Sequence, residues 1–236
     1  MNGEIRSNIA FILNVIREKS LQCGRRPEEI KLMAVTKTVP AGRIMEALAA
    51  GICIIGENYV QEALPKKTHL DELGIPAEWH MIGHLQTRKA AQAVRHFSMI
   101  HSVDRIELAQ ELSRRARADA RVVKVLIEVN TGGETSKSGV SPREVLGLVR
   151  NVAVLESLSL QGLMTIPPWC ADPEKARPYF RLLREIKEEI EAAWIPGVQM
   201  QELSMGMSAD YPVAIEEGAT IIRIGQGIFG GRPSGT

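Results

Sequence analysis

Residues 31–58, KLMAVTKTVPAGRIMEALAAGICIIGEN, contain two apolar stretches separated by a segment that suits a helix. Residues 32–35 and 52–55 are short and apolar, which is typical of strands buried on both faces. Between them, residues 41–51 have a helical composition and end in glycine, a common residue just after a helix. A strand, a helix and a second strand in this order predict a parallel β–α–β unit.

The same order recurs along the rest of the chain. Eight strand-like segments follow one another, each trailed by a helical segment or by the chain end: KLMAV, ICIIGEN, EWHMIGH, SMIHSVD, RVVKVLIEVN, LSLQGLMTIP, VQMQELSMGM and ATIIRIG. Such a repeat in 236 residues suits a (β/α)8 barrel, whose usual size is about 250 residues. A doubly wound sheet is the alternative, but such sheets usually stop near about five or six strands. We therefore predict an α/β fold with one TIM-type (β/α)8 barrel, residues 1–236 forming a single domain.

Helix signals occur at the amino terminus and at two proline pairs. The first twenty residues, MNGEIRSNIAFILNVIREKS, place Ile5, Ile9, Ile12 and Ile16 on one face, with charged residues between them. This pattern predicts an extra amphipathic helix before the barrel, not a signal peptide. Ser141-Pro142 and Asp172-Pro173 predict helix starts, with a capping side chain followed by proline.

The overall composition excludes several classes of protein. Lys and Arg number 29 against 28 Asp and Glu, so no basic excess points to nucleic acid. No apolar run approaches the roughly 18 residues that a membrane helix needs. The three cysteines, Cys23, Cys53 and Cys170, are far apart and form no metal-binding pattern. We expect a cytoplasmic protein with reduced thiols, bound neither to membrane nor to nucleic acid.

Polar side chains stand where the predicted strands end, which is where barrels build their active sites. Lys37 follows the first strand, Asn58 the second and His84 the third. Each has an ordinary structural interpretation: a lysine whose charge reaches solvent, a helix cap and a structural hydrogen-bonding histidine. The alternative is that all three face a ligand at the mouth of the barrel.

The last two strand ends are rich in glycine and serine. LSMGMS contains Ser204, Gly206 and Ser208, and RIGQGIFGG contains Gly225 and Gln226. Barrels often bind phosphate with the loops after strands seven and eight, where backbone amides converge on the anion. Glycines that only close the barrel explain the second motif equally well, but the two motifs together favour a phosphate site.

Lys37 then gains a possible chemical role. The eighth strand of a barrel pairs with the first, so Lys37 would lie beside the phosphate site and Arg223. A lysine that faces a phosphorylated aldehyde can form a Schiff base with it, provided that the amine is neutral part of the time. A nearby cation such as Arg223 favours that neutral form.

Several of these segments together resemble one family. LMAVTKTVP, GENYVQEA, WHMIGHLQTRK, HSVDR, SKSG, GLMTIP and LSMGMSADYPVAIEEGATIIRIGQGIFG stand in the order and spacing of the pyridoxal phosphate homeostasis proteins. These proteins are single-domain relatives of the N-terminal barrel of alanine racemase. The resemblance implies a barrel of the type III fold of pyridoxal 5′-phosphate (PLP) proteins. It also implies a protein of intracellular PLP homeostasis, which stores, buffers or delivers the cofactor.

The resemblance also assigns roles to residues. It implies PLP held as a Schiff base on Lys37, phosphate contacts from Ser204 and from the backbone at Gly225 and Gln226, and Arg223 facing the pyridine nitrogen. An arginine there keeps the ring nitrogen unprotonated, which weakens the cofactor as an electron sink. With Asn58 and His84 from the strand ends, these residues form the predicted cofactor site; no metal and no catalytic residue is predicted.

Two departures from the family and its relatives bear on function. The family commonly has Thr-Ala where this chain has Gln226-Gly227, so one hydroxyl contact to phosphate is absent. The racemases also have a second domain that supplies a tyrosine base, and no residue here is an evident replacement for it. We therefore expect a monomeric carrier with little catalytic activity, whose partners are PLP and PLP-requiring apo-enzymes. An amino-acid racemase and a sugar-phosphate aldolase are the alternatives.

Overall fold

Eight parallel strands close into a barrel in which β1 pairs with β8. The computed structural model describes residues 3–134 and 137–231. The strands are β1 (Lys31–Val35), β2 (Ile54–Glu57), β3 (Glu78–Met81), β4 (Met99–Val103), β5 (Val123–Glu128), β6 (Leu158–Met164), β7 (Glu202–Ser204) and β8 (Ile221–Ile224). Each strand is hydrogen-bonded to its neighbours in chain order, so the predicted (β/α)8 barrel is confirmed.

Helices surround the barrel and connect its strands. They are α1 (Glu4–Gln22), α2 (Ala41–Ala49), α3 (Val60–Glu72), α4 (Ala90–His96), α5 (Ile106–Ala118), α6 (Val145–Ala153), α7 (Arg177–Ala192), α8 (Tyr211–Glu216) and α9 (Gln226–Phe229). Short 3₁₀ turns precede β1, α4 and α7. The four-residue α9 directly follows β8 and was not anticipated from the sequence.

Alternate residues of each strand face the inside and the outside of the barrel, as the two-residue period of a strand requires. Outward residues pack against the helices in one large core. Inward residues form a second, smaller apolar cluster: Met33, Ile54, Ile82, Met99, Leu126, Met164 and Ile221. Filling the interior with side chains makes the barrel a packed core that leaves space for a ligand only at its ends.

Helix α1 is the predicted amphipathic helix, and Ile5, Ile9, Ile12 and Ile16 are its buried residues together with Ser20. It packs on α8 and α9, where the Asn8 side chain donates to the Ile228 carbonyl at 3.0 Å. Burying each isoleucine contributes about 1.5–3 kcal/mol. Helix α1 therefore supports the segment that follows β8.

Two glycines allow backbone segments to approach closely at the mouth of the barrel. Gly206, just after β7, has φ +90°, and a Cβ there would lie 2.6 Å from the Ala214 side chain. A Cβ on Gly83, after β3, would lie 2.3 Å from the Asn58 carbonyl oxygen. Any larger residue would displace the loops that carry the strand-end side chains.

One predicted helix start is wrong and another is confirmed in modified form. Helix α6 begins at Val145, after a turn in which the Glu144 amide bonds to the Ser141 carbonyl, so Ser141 is not its cap. The Asp172 side chain does accept from the Glu174 amide, but it caps a 3₁₀ turn before α7. Within residues 3–134 and 137–231, no helix is long and apolar enough to cross a membrane.

Candidate functional site

A cavity of about 570 Å³ opens at the carboxyl end of the barrel, between the ends of β1 and β8 and the loops after β2, β3, β6 and β7. Its volume is in the range of small-molecule sites. Its lining includes five of the seven predicted residues: Lys37, Asn58, Arg223, Gly225 and Gln226. The register of β1 with β8 explains this grouping, because Met33 pairs with Arg223 and Lys37 follows four residues later.

An ionic cluster of Lys66, Glu57 and Glu62 anchors the turn that carries Lys37. The ammonium group of Lys66 donates 2.7 Å hydrogen bonds to Glu57, to Glu62 and to the Thr36 carbonyl. The Glu62 carboxylate in turn accepts from the amide of Thr38, a residue with φ +64°. The residues on both sides of Lys37 are thus anchored to α3.

Arg223 is buried, yet it also lines the cavity. Its Nη1 donates to Ser204 Oγ at 2.7 Å and its Nη2 donates to the Thr165 carbonyl at 2.8 Å. Burial lowers the pKa of Arg223 to about 10, although Asp210 and Glu128 act in the opposite direction. The side chain therefore stays charged at neutral pH and presents a fixed cation beneath the cavity.

Ser208, considered in the sequence beside Ser204, lines the cavity next to the start of α9. Its hydroxyl oxygen accepts from the Gly227 amide at 3.1 Å. A Cβ on Gly227 would lie 2.9 Å from the Ile224 side chain, so glycine fits this contact closely. The hydroxyl of Ser208 and the backbone of Gly225 and Gln226 thus form one polar corner of the cavity.

Asn58 lines the same cavity, and its side-chain oxygen has no hydrogen-bond partner among the described residues. This Oδ1 atom is buried. A buried polar atom without a partner costs about 1–3 kcal/mol.

The structure places the other two predicted residues outside the cavity lining. Ser204 is fully buried in the barrel, where its hydroxyl contacts Arg223 and His101 instead of open space. His84 is half exposed, and its Nδ1 lies 3.2 Å from the Ser138 hydroxyl and 3.6 Å from an Asp104 carboxylate oxygen.

Two acids lie near Arg223. Asp210 lines the cavity and accepts from the Met207 amide at 2.6 Å; burial raises the pKa of Asp210. Burial, followed by repulsion from Asp104, raises the pKa of Glu128 to about 7. The cavity lining carries the cations Lys37, Arg43 and Arg223 against the single carboxylate Asp210 among the described residues, a balance that suits an anion.

Sequence reasoning missed several lining residues, among them Arg43, Trp169 and Cys170. Arg43 lies on the first turn of α2, with its guanidinium 5.9 Å from the ring centre of Phe229. Trp169 and Cys170, from the loop after β6, also line the cavity, and Trp169 is 80% exposed. The position of Arg43 could have been predicted from the sequence. It lies six residues after Lys37, in the first turn of the helix that follows the strand, and that turn faces the mouth of a barrel.

The comparisons first give the class of protein. Residues 13–233 match the family described as alanine racemase, N-terminal domain. A solved alanine racemase from Clostridium difficile shares the fold, with a TM-score of 0.71 at 17% identity; the chain covers 57% of that protein. The barrel is therefore of the alanine racemase N-terminal class.

The curated relatives give the particular family. The chain is 42% identical to the pyridoxal phosphate homeostasis protein of Vibrio alginolyticus, over 98% of both chains. It is 45% identical to the one of Aquifex aeolicus, over 95% of this chain and 96% of that one. The chain belongs to the pyridoxal phosphate homeostasis protein family, as its motifs predicted.

A solved structure of a relative contains PLP. PipY of Synechococcus elongatus, described with PLP bound, has a TM-score of 0.83 and 36% identity to this chain. The match covers 96% of this chain and all of PipY. The same protein without PLP gives a TM-score of 0.82.

Proposed function

We propose that this chain binds PLP in the cavity at the mouth of the barrel and serves PLP homeostasis by storing, buffering or delivering the cofactor. The observation that carries the proposal is the convergence of Lys37, Arg223 and the polar corner at Ser208 on one cavity. These groups offer an amine for the aldehyde, a partner for the ring nitrogen and a polar corner for the phosphate of PLP.

The residues present fit this cofactor. The cations Lys37, Arg43 and Arg223 favour a doubly charged phosphate ester. When bound, PLP supplies an aldehyde that condenses with an amine, with loss of one water. Lys37 provides that amine from a turn fixed on both sides, so the cluster of Lys66, Glu57 and Glu62 determines where it points.

Several parts of the proposal extend beyond the cavity. We infer that residues 1–236 act as one cofactor-binding domain, that the protein is a monomer, and that PLP-requiring apo-enzymes receive the cofactor from it. The cysteines among the described residues are free thiols, which is consistent with a reducing cytoplasm as the compartment. The partly open cavity suits exchange of the cofactor with other proteins.

The test of the proposal is covalent labelling of the purified protein. After PLP is added, we expect a visible Schiff-base absorption band, and borohydride reduction should fix a pyridoxyl group on Lys37, located by mass spectrometry. The Lys37→Ala variant should lose the band but retain the far-UV circular dichroism of the barrel. The control is Lys89→Ala, because Lys89 also lies at the carboxyl end of the barrel but does not line the cavity. Labelling chiefly on Lys137 or Lys124, or the absence of any band, would contradict the proposal.

A further inference from the structure

Five polar side chains form a continuous chain of hydrogen bonds through the interior of the barrel. Arg223 Nη1 lies 2.7 Å from Ser204 Oγ, and Ser204 Oγ lies 3.0 Å from His101 Nδ1. His101 Nε2 lies 3.0 Å from His80 Nδ1, and His80 Nε2 lies 3.0 Å from a carboxylate oxygen of Glu78. Arg223 lines the cofactor cavity, whereas Glu78 begins β3 and lines a groove at the opposite end of the barrel.

Apolar side chains lie beside the middle of this chain of hydrogen bonds. Met33, Met99 and Ile221 are among the inward residues that fill the barrel interior beside it. Barrel interiors are usually filled by branched apolar residues, and replacing buried polar networks with such residues is often neutral or stabilising. A completely bonded polar chain in this place therefore points to a role other than packing.

The protonation of these five side chains fixes which of them donates and which accepts in each hydrogen bond. The hydrogen bond from His80 lowers the pKa of Glu78, so its carboxylate is ionised and only accepts. His80 must donate from Nε2, and in a neutral ring its Nδ1 then accepts from His101 Nε2–H. Burial lowers the pKa of His101 well below its usual value, so this ring is neutral and its Nδ1 accepts from Ser204. Arg223, which can only donate, completes the series at the Ser204 oxygen.

If the hydrogen bonds ran in the opposite direction, one buried hydroxyl proton would have no acceptor. If His101 carried its proton on Nδ1, both His101 and Arg223 would donate to the Ser204 oxygen. The hydroxyl proton of Ser204 would then have no acceptor in this chain, although the side chain is completely buried. An unsatisfied buried group of this kind costs about 1–3 kcal/mol.

We propose that Glu78 sets the direction of this chain and thereby holds Arg223 in the orientation that the cofactor site uses. The inference rests on the proposed function. Glu78 is a positioning residue that acts through His80, His101 and Ser204. The other charged groups around the chain are Lys31 and Lys124 near Glu78, and Glu128 and Asp210 near Arg223.

The first experiment measures the imidazole tautomers in the full-length protein without PLP. The proposed direction requires the proton of each ring to be on Nε2, with Nδ1 as the acceptor. Long-range ¹H–¹⁵N NMR spectra of protein labelled at histidine, assigned with single His→Gln variants, test this. A proton on Nδ1 of either ring would overturn the assigned direction. In Glu78→Gln the carboxamide can donate to His80, so we expect both rings to gain the Nδ1–H form. Unchanged tautomers in Glu78→Gln would show that Glu78 does not set the direction.

The second experiment connects the chain to the cofactor. We expect Glu78→Gln to weaken PLP binding about two- to tenfold, the contribution of one ordinary hydrogen bond, and to shift the Schiff-base band. Glu46→Gln is the control, because Glu46 lines the same distal groove but does not contact His80 in the described structure. If Glu78→Gln changes the tautomers but matches Glu46→Gln in PLP affinity and spectrum, the link to Arg223 is wrong. If the wild type binds no PLP, the proposed function fails, while the tautomers still decide the direction of the chain.

Discussion

The ammonium group of Lys66 donates a 2.7 Å hydrogen bond to the carbonyl of Thr36, the residue before Lys37. The same ammonium neutralises Glu57, which is completely buried and whose pKa burial raises. One side chain of α3 therefore both compensates a buried carboxylate and fixes the turn that presents the amine. Stability and cofactor binding should depend on it together.

We expect Lys66→Met to destabilise the fold by about 3–5 kcal/mol, because it leaves Glu57 buried without its cation. PLP binding should weaken as well, because Thr36 loses its anchor. Urea unfolding and a PLP titration measure the two effects. Lys67→Met is the matched control: among the described residues Lys67 pairs with the exposed Asp71 across one helical turn, a contact of about 0.3–0.5 kcal/mol. Equal losses in the two variants would contradict this role for Lys66.

Ser208 and Ser204 should have separable effects on binding. Ser208→Ala removes a hydroxyl from the polar corner at Gly227, so PLP should bind more weakly by about 1.5–3 kcal/mol, the contribution of a hydrogen bond to a charged group. Pyridoxal, which lacks the phosphate, should be unaffected. Ser204→Ala acts through Arg223 and should weaken both ligands. Titrations of both variants with both ligands test this, and an equal loss for PLP and pyridoxal in Ser208→Ala would argue against a phosphate contact.

Glu128 should make stability depend on pH. Its pKa rises to about 7 in the folded protein from an ordinary value of 4.5, so the folded state holds a proton that the unfolded state has released. Stability should therefore fall as the pH rises from about 4.5 to 7, by up to about 3 kcal/mol from this group. Urea unfolding between these pH values should show a shallower decline in Glu128→Gln than in the wild type. Parallel curves would mean that Glu128 is not the group responsible.

Much of the site was predictable because strand ends and parallel pairing determine it. Lys37, Arg223 and Gly225 meet because β1 closes on β8, and the order of the strands follows from the repeated strand–helix pattern. The family resemblance implied a phosphate contact from Ser204. The sequence does not show that β7 ends at Ser204 and that the turn at Gly206 carries Ser208 to the cavity instead.

The interior hydrogen-bond chain was also missed. Glu78 and His80 are two residues apart and so share one face of β3, which is a signal that the sequence contains. Their partner His101 lies on another strand, and neither its register nor its inward orientation follows from local pattern. The contacts that link distant strands through the barrel therefore required the structure.

The last prediction concerns catalysis: we expect little or no conversion of amino acids by the PLP-loaded protein. Racemisation needs an acid or base on each face of the substrate's α-carbon, within about 3 Å of the proton that moves. Lys37 can serve one face. His84 was the histidine nearest to such a role in the sequence, but its ring contacts Ser138 and Asp104 outside the cavity lining.

Arg223 is a second reason to expect little conversion of amino acids. It is charged, buried and held by two hydrogen bonds, so a ring nitrogen that faces it would remain unprotonated and stabilise a carbanion poorly. The measurement is incubation of the loaded protein with L-alanine and L-serine in D₂O, followed by chiral analysis and by α-proton exchange in NMR spectra. Borohydride-reduced protein, whose amine is blocked, is the control for solution chemistry. Turnover of about 1 s⁻¹ or more, an ordinary enzyme rate, would favour the racemase alternative over a carrier.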